Sequence, residues 1–178
     1  MSRSFQSLEL FDDLTVLENI QAASDSRDRA AYVTDLVKPG RRALTDVGRA
    51  VIAEFGFDAE IHTRVRDLPY ASRRMLAVAR AVAGGQSVLL LDEPAAGLDR
   101  PQTEYLSVVI RRLAIKRGIA VLLVEHNVEM VLRTCDRVYA LDFGRLIGHG
   151  SPAEIRANPA VVTAYLGSPM SRAAPAAS

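Results

Sequence analysis

Apolar and polar positions divide the chain into three zones. In the first, residues 1 to about 67, the spacing is helical. Thr15-Val16-Leu17-Glu18 has capping-box spacing and opens an apolar pattern through Ile20. Ser24 to Arg29 is polar and reads as a loop, and Lys38-Pro39-Gly40 as a second break. Leu44, Val47, Val51 and Phe55 recur at helical spacing, with Gly56 as a stop. In the second zone, 68 to about 150, helices alternate with strands. Ser72 to Ala83 predicts a helix with Met75, Leu76, Ala79 and Val82 on one face, ended by Gly84-Gly85. Val88 to Leu91 is a continuous apolar run, expected of a strand covered on both faces. Pro101 starts a helix whose stripe is Leu106, Val109, Ile110 and Leu113, closed by Gly118. Ile119 to Val124 predicts a second buried strand, and Asn127 caps a helix through Leu132. Val138 to Leu141 and Arg145 to Ile147 form a hairpin about Asp142-Phe143-Gly144. The third zone, from Ser151, holds one or two short helices and a Pro-, Ala- and Ser-rich end from Pro169 that is expected to be disordered. Strands separated by helices in this way predict an α/β fold with a largely parallel sheet.

Composition narrows the function. The chain of 178 residues has a net charge of +1, so no strong field draws nucleic acid or acidic lipid. Arg73, Arg74, Arg111, Arg112, Lys116 and Arg117 lie on helices with apolar opposite faces and read as solvated positions, not as a nucleic-acid patch. Cys135 is the single cysteine and reads as a small half-buried residue in a reducing compartment. His62 and His149 stand alone in polar surroundings and read as solvated. No apolar run approaches the roughly 18 residues that span a bilayer. A cytoplasmic chain that meets membrane only through a partner is the expectation.

The strongest chemical signal is Leu91-Asp92-Glu93-Pro94 at the end of an apolar strand. In open α/β sheets ligands bind beyond the carboxyl ends of strands. Two adjacent carboxylates there are costly to bury unless they meet a cation or polar substrate. One carboxylate holding Mg²⁺ and the next polarising a water is what nucleotide hydrolysis requires. A helix-capping acidic pair in a loop is the alternative for those four residues alone. Ala96-Gly97-Leu98-Asp99 places a further acid seven residues after Asp92, and His126 follows Glu125 at the end of the next strand. A histidine there is a candidate to contact a γ-phosphate or an attacking water.

These motifs, in this order, resemble the ABC ATPase family. Asp92-Glu93-Pro94, Gly97-Leu98-Asp99 and Leu123-Val124-Glu125-His126 are similar to its Walker B, D-loop and switch-histidine motifs. Phe5-Gln6 with Leu14-Thr15-Val16-Leu17-Glu18-Asn19-Ile20 resembles the Q-loop and the start of the helical subdomain. Leu68-Pro69-Tyr70-Ala71-Ser72 sits where the family signature sits. Gly144-Arg145-Leu146-Ile147, Gly150-Ser151-Pro152-Ala153-Glu154-Ile155 and Ala164-Tyr165-Leu166-Gly167 resemble ATP-binding subunits of branched-chain amino-acid importers in particular.

The resemblance implies a P-loop NTPase-like sheet with a helical subdomain and signature helix at about 10–83. It also implies an α/β core at 84–150, C-terminal helices at 151–167 and a tail at 168–178. The cofactors it implies are ATP and Mg²⁺. Asp92, with Gln6, would serve the metal; Glu93 would be the general base; His126 would sense the γ-phosphate; Gln6 would link metal and water to the membrane-subunit interface. Asp99 would cross a dimer interface, and Leu68, Pro69, Tyr70, Ala71 and Ser72 would face the γ-phosphate held by a second ABC ATPase subunit. Transmembrane permease subunits are the other implied partners, with the chain peripheral on the inner face of the membrane.

Two departures from the family pattern stand out. No GxxxxGK(S/T) occurs in the 178 residues, as expected of a domain truncated before its Q-loop and lacking the N-terminal strands and P-loop. Ala71 and Ser72 stand where Gly and Gln are common, and a Cβ at Ala71 hinders close backbone approach to phosphate. Impaired nucleotide binding by the chain alone follows as an expectation. The alternative is a non-catalytic module that pairs with a complete ABC ATPase subunit.

Overall fold

The computed structural model describes residues 2–4, 10–24 and 44–166. It divides into two compact units, Met1–Val124 and Glu125–Ser178.

In the first unit a parallel sheet of three strands has the order β1 (Ser2–Ser4), β2 (Val88–Asp92), β3 (Ala120–Val124). Register pairs Ser2 with Leu89, and Val88 with Ala120 through Asp92 with Val124. β2 is therefore central, which is why its sequence is apolar without interruption. Its Leu89 and Leu91 are fully buried, whereas Val88 and Leu90 are only half-buried, so one face is covered less than expected. β3 departs further. Leu122 and Val124 are 59% and 54% exposed. Strand residues alternate between faces, so Ala120, Leu122 and Val124 share one side, and that side is open. The expectation of a buried strand at 119–124 fails there because apolar composition does not reveal whether anything covers a face. β1 was not foreseen either: its three polar residues carry no strand pattern, and pairing with β2 alone defines it.

Three helices pack on one another in this unit: α1 (Val16–Ser24), α2 (Asp46–Phe55) and α3 (Tyr70–Ala83). The capping box before α1 forms as read. Glu18 N donates to Thr15 Oγ1 at 3.2 Å, and the Glu18 carboxylate accepts from Thr15 N at 2.8 Å. Thr45 caps α2, and Gly56 ends it in the left-handed conformation. The buried stripe of α2 is Gly48, Val51, Ile52 and Phe55, and Val47 faces solvent instead. Gly48 takes that place because a Cβ there would lie 2.7 Å from Leu44 Cδ1 and 3.3 Å from Ile20 Cγ2, at the approach of α1 and α2. α3 begins two residues earlier than the pattern predicts and buries Met75, Leu76, Ala79 and Val82 as expected. α4 (Arg100–Arg117) connects β2 to β3, with Leu106, Val109, Ile110 and Leu113 buried and Gly118 as its left-handed stop.

In the second unit, Asn127 caps α5 (Val128–Thr134) by accepting from Met130 N. A hairpin follows, β4 (Val138–Asp142) and β5 (Arg145–Gly150), with Phe143 and Gly144 both at positive φ in the turn. That pair is the two-residue turn whose twist matches antiparallel strands. α6 (Pro152–Ala157) and α7 (Pro159–Val161) close the unit over Val138, Ala140, Ile155 and Val161, with Cys135 packed beside them. Among the described residues no helix is long and apolar enough to cross a membrane.

Candidate functional site

The site of the first unit is built on the turn after β2. Asp92 is the last residue of β2 and pairs with Val124. The chain then leaves the sheet at Glu93, whose φ is 45°, a left-handed value that non-glycine residues adopt at a cost of about 1–3 kcal/mol. Glu93 N remains tied to the sheet edge by donating to Val124 O at 2.8 Å. Two short turns follow, Ala96 N to Glu93 O at 3.1 Å and Leu98 N to Ala95 O at 3.0 Å. Pro94 and Ala95 are buried beneath them. Gly97 supplies a φ of 76°. Asp99 then caps α4 in a reciprocal box with Gln102. Both carboxylates of the Asp-Glu pair thus stand at the carboxyl end of the central strand, half-buried. The capping acid of this region is Asp99; the Asp92-Glu93 pair lies upstream, on the strand end.

The amino end of α3 comes to the same loop. A 3₁₀ turn at Val65–Asp67 leads into Leu68, which is buried and anchors the segment. Pro69 is the N-cap of α3 and makes no side-chain cap. Arg73 Nε donates to Leu68 O at 3.2 Å, and its guanidinium also donates to Arg66 O, which braces the segment from the first turn of the helix. The Tyr70 hydroxyl donates to Ala96 O at 3.2 Å and accepts from Arg74 Nε at 3.1 Å. Ala71 and Ser72 are half-buried in the first turn. Arg74, read from the sequence as solvated, is only 9% exposed, and Arg73 is half-buried on backbone carbonyls. Both corrections have one cause: a guanidinium with carbonyl or hydroxyl acceptors in reach is satisfied away from water, and those acceptors lie one turn back on the helix or in the segment that leads into it. Arg117 is corrected likewise, being paired with Glu54 at 3.0 Å.

In the second unit, Glu125 has a side chain only 1% exposed, and its Oε2 accepts from His126 N at 3.2 Å and Asn127 N at 3.4 Å. This fixes the turn after β3. His126 is 71% exposed, with Nδ1 3.9 Å from the same carboxylate oxygen. Glu125 as the organiser of that turn escaped the sequence reading. His149 does not stand alone: it stacks on Tyr139, ring centroids 5.9 Å apart. Gln6 lies outside the described residues, as do Phe5, the break at 38–40 and the tail from 167.

The first turn of α3 has neither a side-chain cap nor an acidic residue, which leaves the positive end of the helix without an anionic side chain of its own. Among the described residues no group of three or more His, Cys, Asp or Glu is placed to hold a metal ion.

The family model for the ABC transporter matches residues 1–96. The chain belongs to the ABC transporter family. A second model, the branched-chain amino acid ATP-binding cassette transporter, matches residues 145–170 of this ABC protein. It is 34% identical over 170 residues to the high-affinity branched-chain amino acid transport ATP-binding protein LivG of Escherichia coli, covering 93% of this chain and 67% of LivG. It is 30% identical to the corresponding protein BraF of Pseudomonas aeruginosa, with the same coverage. The lipopolysaccharide export system ATP-binding protein LptB of Haemophilus influenzae is 33% identical, over 91% of this chain and 63% of LptB. Among solved structures, an ATP-binding cassette of an ABC transporter in its ADP conformation matches with a TM-score of 0.71 at 20% identity, covering 94% of this chain and 68% of that one. That likeness shows the ABC ATPase fold. The chain is an ABC transporter ATP-binding subunit homologous to those of branched-chain amino-acid transporters.

Proposed function

We propose that this chain is the ATP-binding subunit of an importer for branched-chain amino acids or related solutes, and that it energises transport through MgATP hydrolysis. It pairs with a second ABC ATPase subunit and docks on transmembrane permease subunits at the cytoplasmic face. The observation that carries the reading is the Asp92-Glu93 pair at the carboxyl end of the central strand, on a loop bonded to the amino end of α3. Mg²⁺, when bound with the nucleotide, neutralises developing charge on the phosphoryl oxygens. Asp92 would hold it. Glu93 would accept a hydrogen bond from the attacking water and draw its proton. By the family resemblance His126, exposed on a turn held by Glu125, would sense the γ-phosphate. The first turn of α3 offers N–H groups to a nucleotide held by the partner, and Asp99 lies at the partner-facing end of the loop.

A second reading has its own observation: the amino end of α3 has no side-chain cap. In that reading the chain serves its partner's nucleotide alone. The test is MgATP turnover by the chain assembled with a P-loop-bearing ABC ATPase subunit and permease. Under the first reading Glu93→Gln lowers turnover by about 10²-fold or more, the scale of lost general-base catalysis. Unchanged turnover in Glu93→Gln would sink it in favour of the second. The chain alone is expected to bind ATP weakly. Micromolar binding by isothermal calorimetry, abolished in Asp92→Ala, would overturn that expectation.

A further inference from the structure

We propose that Tyr70 is a positioning residue that makes the amino end of α3 and the loop Glu93–Asp99 move as one piece. The inference rests on the reading of these two segments as parts of nucleotide sites, one facing the partner's phosphate and one carrying Glu93.

Three contacts converge on one ring. Arg74 can only donate, so its Nε–H occupies a lone pair of the Tyr70 oxygen at 3.1 Å. The phenolic hydrogen is thereby directed to Ala96 O at 3.2 Å. Donor, relay and acceptor are in series, an arrangement in which each bond strengthens the next. The Arg74 guanidinium carbon also lies 5.7 Å from the ring centroid. The ring itself is set against Gly97. A Cβ built there would lie 2.8 Å from Tyr70 Cε1 and 3.1 Å from its hydroxyl. Gly97 thus meets two demands, the positive φ of the turn and the space for the ring. The tie crosses 26 residues of sequence and joins a helix start to the loop Glu93–Asp99.

Ala96 sits between the turns that close on Glu93 and Leu98. A pull on its carbonyl therefore acts on both Glu93 and the Asp99 cap. A partner's phosphate that draws in the first turn of α3 would shift Tyr70 and, through it, the acid of this chain's own loop. Tyr70 touches no reacting atom in this scheme. It passes the engagement of one nucleotide site to the other.

The test has two arms on the full chain. In the first, amide hydrogen exchange is followed by NMR in the wild type, Tyr70→Phe and Tyr70→Ala. Tyr70→Phe keeps the ring against Gly97 and removes only the hydroxyl. The expected result is exchange about five-fold faster at Ala96 and Leu98 together with Arg73, one hydrogen bond's worth of local opening at both ends of the tie. Acceleration confined to α3, or none, overturns the proposal. In the second, MgATP turnover is measured in the assembly with a P-loop-bearing ABC ATPase subunit. Tyr70→Phe is expected to lower kcat about five-fold with KM for ATP unchanged, the sign of an interaction that acts in the transition state only. A rise in KM with kcat unchanged overturns the proposal. Loss of folded fraction, read by circular dichroism on the same samples, would assign the effect to stability and overturn it too. A wild-type assembly that does not turn over ATP refutes the reading of the site, and the exchange arm still decides the tie.

Discussion

Replacing Asn19 with alanine tests how the loop before α1 is held. Asn19 is fully buried, an unusual place for an amide. Its Oδ1 accepts from Phe11 N at 3.0 Å, and its Nδ2 donates to Phe11 O at 3.1 Å and to Thr15 O at 3.0 Å. One side chain thus closes a loop of eight residues by reading both backbone groups of Phe11. Alanine removes three hydrogen bonds and orphans Phe11 N, whereas Phe11 O keeps the bond from Leu14 N at 3.1 Å. At roughly 1 kcal/mol each, with a further penalty for the orphaned N–H, the loss is about 3–4 kcal/mol. That is a large fraction of a typical domain stability of about 5–15 kcal/mol. Aspartate is the sharper variant. It retains the acceptor for Phe11 N but turns a carboxylate oxygen toward two carbonyls, so it is expected to destabilise at least as much as alanine. Urea unfolding followed by fluorescence and circular dichroism reads both. With a slope of about 2–3 kcal/mol per molar urea, the midpoint falls by roughly 1–2 M. A midpoint within 0.3 M of wild type (about 1 kcal/mol on that slope) for Asn19→Ala, or a milder effect for Asn19→Asp, would refute the account.

Three other substitutions probe separate parts. Gly118→Ala costs about 1 kcal/mol of unfolding free energy by denaturant titration: φ is 63° and nothing lies within 4 Å of an added Cβ, so the cost is backbone alone. A loss above about 3 kcal/mol would contradict that. Glu54 and Arg117 join α2 to α4 across 63 residues through contacts of 3.2 and 3.0 Å at about one-fifth exposure; a double-mutant cycle to alanine should return a coupling of about 1 kcal/mol, and one under about 0.2 would show the pair idle. Glu154 is held below the usual glutamate range by the Ser151 N–H and hydroxyl, with Arg137 and His149 adding to the effect. A depressed carboxylate contributes stability above its unfolded pKa and loses it as pH falls through the folded value, so α6 should fray in acid below the ordinary glutamate range. Amide exchange of Glu154 N and Ile155 N against pH checks this, and Glu154→Gln should flatten the profile.

Much of the fold was legible because local rules and packing agree. Thr15 and Asn127 cap helices at the positions their spacing predicts, and Gly56 and Gly118 stop them. The hairpin about Phe143-Gly144 follows from alternation and turn chemistry alone. What failed depends on neighbours. The open face of β3 and the inward Gly48 in place of Val47 are decided by a surface on a different segment, while Arg74 is buried with its Nε–H on the Tyr70 hydroxyl one turn back. The Asp-Glu pair at the end of β2 was legible as a strand end because it follows four apolar residues, although those residues alone left a helix-capping pair open. Tyr70 was not, because its partners Ala96 and Gly97 carry no side-chain signal at all.

The loop from Glu93 to Asp99 concentrates the tension between stability and chemistry. Glutamate at positive φ is a local violation, and a consistent sequence would place glycine or asparagine there. It persists because both flanks are fixed: Glu93 N on Val124 O, the two turns over buried Pro94 and Ala95, the Asp99–Gln102 box, and Tyr70 on Ala96 O. Each of those bonds is modest, about 1 kcal/mol, and together they exceed the roughly 1–3 kcal/mol of strain. The restraints are therefore conditions for keeping a carboxylate in a conformation the backbone resists. Losing any one leaves the sum above that strain, so several must weaken together before Glu93 is released.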